Sequence, residues 1–184
     1  MHLDEFNTAD AAGAAALVRV WADIPWWTDA IVSGRPYADV DALAARAAAL
    51  AERWGADDLE SAIAHHPRIG ERPSGAGAEA AASRREQSSM DAAGADVAAR
   101  IAAGNADYEA RFGRVFLIRA AGRSPDQMLA ELERRRRNDA ETEAREATSQ
   151  LAEIALLRLR STVTAGTGIH TPDSTDLPNA KAPS

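Results

Sequence analysis

Apolar residues along this chain recur at three- and four-residue intervals on a background of alanine, and they almost never alternate with polar ones. That is the rhythm of an α-helix with one buried face, whereas a half-buried strand needs alternation. Alanine favours helix more than any other residue, and its small side chain lets helices pack closely. The expected fold is therefore all-α. At 184 residues, 46% of them hydrophobic, the chain suffices for one domain with a real core.

Punctuation places the helices. Asn7 or Thr8 can cap a first helix that runs to Trp21, and Pro25 breaks it. A short segment from Trp26 to Val32 stops at Gly34, and Arg35-Pro36-Tyr37 is extended because a residue before proline avoids the α region. Asp39 or Asp41 opens the next helix, with Leu43, Ala47, Leu50 and Trp54 on one face and Gly55 at its end. Asp57 or Asp58 begins a shorter helix that Pro67 forces to stop at His65-His66. One helix is expected from about Glu79 to Ala92, and another after Gly94 carries Val97, Ile101, Tyr108 and Phe112. The apolar run from Phe112 to Ile118 reads as a short buried connector. Ser124-Pro125-Asp126-Gln127 combines an N-cap, a first-turn proline and the partner of a capping box. A long helix from about Ala140 to Val163 completes a single-domain bundle of about eight helices over residues 1–164. Residues 165–184 are rich in Pro, Ser and Thr without periodicity and read as a disordered tail, with His170 in it a bystander.

Charge and composition exclude several functions. A formal net charge of -7 argues against nucleic acid or an anionic membrane surface as partner. Without cysteine there is no disulfide, thiolate metal site or thiol nucleophile. The acidic opening Met1 to Thr8 does not read as a signal peptide, no apolar run approaches a membrane span, and the last three residues are not a peroxisomal address. A soluble, cytoplasmic protein is expected.

Chemistry concentrates between Ser61 and Met90, around a His-His-Pro corner and a glycine, Gly70, expected to be buried. Ser83, Glu86, Gln87 and Met90 fall at i, i+3, i+4 and i+7, one face of the expected helix, with Ala80 a turn before. A solvated stripe is the plain reading; its apolar ends suggest a face turned inward. His66 either caps its helix or serves as a general acid or base, since imidazole titrates near neutrality. His65 is taken as structural. Arg158 falls on a helix apolar on several sides, so it must snorkel or meet a partner. Glu86 can be that partner in a buried salt bridge, or the guanidinium can hold a substrate carboxylate or carbonyl. No metal-ligand spacing is present. The Arg134 to Arg137 run, flanked by Glu131, Glu133, Asp139, Glu141 and Glu143, reads as a solvated face, and Asn105 as a structural hydrogen-bonder.

Five motifs appear in order: His66-Pro67-Arg68-Ile69-Gly70; Ser83-x-x-Glu86-Gln87; Asn105-x-x-Tyr108-x-x-Arg111-Phe112-Gly113; Phe116-x-Ile118-x-x-x-Gly122-x-Ser124; and Glu153-Ile154-x-x-Leu157-Arg158-Leu159. Together with Phe6-Asn7 and Gly34-Arg35-Pro36-Tyr37 they resemble 2-oxo-4-hydroxy-4-carboxy-5-ureidoimidazoline (OHCU) decarboxylases over roughly residues 3 to 164. Each motif is weak; the ordered set is specific. The resemblance implies an all-α homodimer that turns OHCU into (S)-allantoin and carbon dioxide without a cofactor or metal, in urate degradation. It places His66, Glu86 and Gln87 at catalytic positions, and Pro67, Ser83, Ile118 (through its backbone) and Arg158 against substrate, along with Glu86 and Gln87. Arg136 departs from the family pattern, where an apolar residue is expected. Two other readings stand beside this one: a non-catalytic helical module binding a ureide or purine, and a purely structural protein in which His66 caps and Arg158 pairs with Glu86.

Overall fold

Four aromatic rings in contact organise the larger of two cores. Trp21 meets Trp27 edge-on at 6.4 Å between centroids, Trp27 meets Trp54 at 5.3 Å, and Phe6 leans on Trp21 at 5.9 Å. The computed structural model describes residues 1–64, 66–71 and 77–165, and among these it contains nine α-helices, one 3₁₀ turn and no strand beyond an isolated bridge between His2 and Thr164. None of the helices is long and apolar enough to cross a membrane. The all-α expectation holds. The tail expectation falls on residues outside those described, Ala165 apart.

The helices are α1 (Leu3–Thr8), α2 (Ala11–Trp21), α3 (Pro25–Ser33), α4 (Val40–Ala51), α5 (Ala56–Ile63), α6 (Ala78–Glu86), α7 (Ala95–Phe112), α8 (Pro125–Arg135) and α9 (Ala140–Thr162). The expected first helix is α2, and the short α1 precedes it unforeseen. Asp10, not Asn7 or Thr8, caps α2 by accepting the Gly13 N–H. Asn7 instead exchanges two 2.9 Å hydrogen bonds with the Tyr37 backbone, and Arg35 donates to the carbonyls of Phe6 and Ala9. The two early motifs thus stitch α1 to the loop after α3. Asp39 caps α4 and Ser124 with Gln127 forms the capping box of α8, as expected. Gly55 is the N-cap of α5 rather than the end of α4, which already stops at Ala51.

Helices α1 to α5 pack with α9 around the tryptophans, while α7 and α8 enclose a second core of Ile69, Ile101, Tyr108, Phe116, Ile118, Met128, Leu129 and Leu132. Gly104 lets α7 approach α8 closely, since a Cβ there would lie 2.7 Å from Leu132 Cδ2 and 3.2 Å from its Cγ. Gly104→Val should therefore overpack the second core and destabilise the protein by about 2 kcal/mol. Chemical denaturation reads this directly, and an unchanged midpoint would show that α8 yields freely. Between α7 and α8 the connector alternates: Val115 and Leu117 belong to the first core, Phe116 and Ile118 to the second. Period-two alternation is that of extended chain, so the buried connector joins both cores.

Candidate active site

Where the two cores meet, α6, α9, the end of α2 and the loop after α5 bring four predicted groups together. Arg158, 4% exposed, grips Glu86 with both ends of its fork, Nε to Oε1 at 2.7 Å and Nη2 to Oε2 at 2.9 Å. Its Nη2 also donates to Ser83 Oγ at 3.1 Å, and its Nη1 to the Val20 carbonyl at 3.0 Å. A bidentate guanidinium–carboxylate pair is geometrically specific, and burial makes it costly to break. Of the two partners that the sequence leaves open for Arg158, Glu86 is the one the structure shows.

His66 lies against this pair with its side chain 10% exposed and its Nδ1 3.9 Å from Glu79 Oε1. Its backbone N–H donates to the Ile63 carbonyl, closing α5. Burial, and next the Arg158 guanidinium, push its pKa down to about 4, with Glu86 opposing. At neutral pH His66 is therefore an uncharged imidazole, able to accept a proton. A helix-capping cation, the bland alternative, would need the charged form.

The depressed pKa carries a stability prediction. Unfolded, the ring titrates near 6.5; folded, at about 4. Between those values the unfolded chain binds the extra proton, so stability present above pH 6.5 is lost as pH falls towards 4. The difference corresponds to roughly 3 kcal/mol. Urea denaturation at pH 7 and pH 5 should show a steeper loss for wild type than for His66→Asn; parallel losses would place the imidazole in water.

The loop bearing His66 is pinned by its neighbours. Asn105 donates to the Ile69 carbonyl at 2.9 Å, Gln87 Oε1 accepts the Gly70 N–H at 3.1 Å, and Arg68 pairs with Glu109. Gly70 is exposed, not buried as expected, and its φ of 87° explains the glycine, because a side chain there would be strained. The helix expected from Glu79 to Ala92 ends at Glu86, with Gln87 as its cap and a 3₁₀ turn over Ser88–Ala92. The assumed helical face thus ends before Met90, which packs instead on the second core near Gly70. The face is nevertheless turned inward, with Ser83 1% and Gln87 9% exposed. Pro67 is half-buried beside His66, and Ile118 is buried in the second core with Ile69. His65 is outside the described residues.

Sequence reasoning missed one charged centre. Arg135 and Glu143, taken as part of a solvated face, are 1% and 0% exposed and paired with each other. Glu143 also accepts from Tyr108 Oη and Asn138 Nδ2, and Arg135 Nη1 donates to the Leu117 carbonyl at 2.6 Å. Arg134 and Arg136 do lie on the surface, paired with Glu146 and Asp107. Ion pairing at the surface thus accounts for Arg136, where the family pattern suggests an apolar residue.

Known proteins share this architecture. The sequence model of the OHCU decarboxylase family matches residues 7–160. The 2-oxo-4-hydroxy-4-carboxy-5-ureidoimidazoline decarboxylase of Haloferax volcanii is 29% identical, aligned over 85% of this chain and 89% of its own. That of Amia calva is 31% identical over 73% of this chain and 78% of its own. A crystal structure of OHCU decarboxylase in the presence of (S)-allantoin superposes with a TM-score of 0.66 and 25% identity, over 78% of this chain and 94% of that one. With all five motifs inside the matched span, the chain belongs to the OHCU decarboxylase family, a family of carboxy-lyases.

Proposed function

We propose that this protein decarboxylates OHCU to (S)-allantoin and carbon dioxide without a cofactor, as a step of urate degradation. The observation that carries the reading is a buried, uncharged His66 set against the Glu86–Arg158 pair in a chain of this family. When the carboxylate leaves as carbon dioxide, its bonding electron pair flows into the ring and is taken up by the substrate's own imine, whose nitrogen gains a proton from water. His66, with Glu86 as its acid–base partner, takes the hydroxyl proton as the hydroxyl-bearing carbon becomes a carbonyl. A proton returned to one face of the ureido-bearing carbon sets the S configuration.

The remaining groups orient the ring. Arg158 has five N–H donors and commits four to Glu86, Ser83 and Val20, which leaves one Nη1 hydrogen, among the described residues, for a substrate oxygen. Gln87, its oxygen taken by Gly70, offers its amide N–H groups to ring carbonyls. The Ser83 hydroxyl, the Pro67 corner and the Ile118 backbone complete the contacts. Glu86, besides balancing Arg158, sits near the scissile carboxylate and disfavours the charged ground state. Glu86→Gln should lower turnover about a hundredfold, within the range for a lost acid–base partner; an unaltered rate would reduce Glu86 to a structural counterion. The family resemblance also supports a homodimer, which sedimentation tests.

The reading is tested by carbon dioxide release from freshly generated OHCU, with protein dialysed against a chelator. Release far above spontaneous decay is expected; a trace superimposed on spontaneous decay would leave the ureide-binding module as the better reading.

A further inference from the structure

Two anchors hold the connector on either side of Ile118. Arg135 Nη1 donates to the Leu117 carbonyl at 2.6 Å, and Gln150 Oε1 accepts the Arg119 N–H at 3.0 Å. Both peptide bonds of Ile118 are trans, the cis bond of the described chain being at Arg35-Pro36. In a trans peptide the C=O and the N–H of one unit point in opposite directions. Fixing the Leu117 carbonyl therefore aims the Ile118 N–H the other way, and fixing the Arg119 N–H does the same for the Ile118 carbonyl. Each anchor is itself held. Arg135 is locked by Glu143, with its guanidinium 4.8 Å from the Phe116 ring centroid, and Gln150 Nε2 donates to Glu153, which also binds Arg119.

We infer that Arg135 and Gln150 are positioning residues that orient the Ile118 backbone towards substrate. This rests on the proposed role of that backbone in holding the ring. A buried ion pair on α8 and α9 is more than packing requires, since apolar residues of similar volume stabilise as well; an aimed backbone accounts for it.

The test uses Gln150→Met, which removes the acceptor and keeps the side chain's length, and Arg135→Lys, which keeps the charge opposite Glu143 but loses the planar fork. Without substrate, the Ile118 and Arg119 amide resonances should move, and Arg119 exchange should quicken about tenfold in Gln150→Met, as one lost hydrogen bond implies. With OHCU, KM should rise about five- to tenfold at nearly constant kcat in Gln150→Met, with the thermal midpoint lowered by only a few degrees. Unmoved amide resonances would overturn the anchoring. Moved resonances with an unaltered KM, in the presence of normal wild-type turnover, would overturn its service to substrate. Absence of wild-type turnover would instead strike the functional reading itself.

Discussion

His66→Asn should cost about a thousandfold in kcat while leaving the fold intact, in the range for removing a positioned general acid or base. Asparagine retains a hydrogen-bonding side chain in a site that is 10% exposed but cannot carry the proton. Nothing structural depends on the ring's charge, because burial and Arg158 keep it neutral. The thermal midpoint should consequently stay within a few degrees of wild type. Steady-state kinetics beside a thermal melt separates the two effects. A variant that melts early and works at the wild-type rate per folded molecule would return His66 to scaffold.

The largest stability effect is expected at the second buried pair. Arg135→Met leaves the Glu143 carboxylate, 0% exposed, without its cation. Removing one partner of such a pair costs about 3 to 5 kcal/mol, because the other charge stays buried. Tyr108 and Asn138 still donate to Glu143, which places the expected loss near the lower figure. For a chain of this size that lowers the thermal midpoint by roughly 10 °C. Arg135→Met/Glu143→Leu should recover part of the loss, since neither charge is then stranded. Recovery failing entirely would mean that the aimed Leu117 carbonyl, not the charge, holds the energy.

What the sequence reveals follows the distance over which each signal acts. Asp39 and the Ser124–Gln127 box bond within three residues, so both were readable as caps. Asn7 looked like a cap for the same reason, but its partner Tyr37 is thirty residues away and outcompetes the local bond. The helix over Glu79 to Ala92 had no visible stop, because the residue that ends it, Gln87, turns its side chain to the Gly70 loop. Gly70 was recognisable as a special glycine, though its reason is a positive φ and not burial.

The clustering of the candidate site's side chains was legible for a different reason. His66, Glu86 and Arg158 are far apart in sequence, and no periodicity relates them; the ordered motifs did. Their convergence depends on α9 passing beside α6, which brings Arg158 to Glu86 and Ser83. Arg135 and Glu143 stayed hidden because the turn between α8 and α9 separates them, and charge counting treats all four arginines alike. A buried arginine among surface ones has no compositional mark. Its signal is tertiary, the carbonyl of Leu117.

The most direct measurement is circular dichroism of the product formed from freshly generated OHCU, with wild type and His66→Asn side by side. Rapid appearance of the (S)-allantoin signal with wild type, and its near absence with His66→Asn, is the predicted result. Racemic product at the spontaneous rate from wild type would contradict the account, and an equal (S) signal from His66→Asn would move the chemistry away from that imidazole.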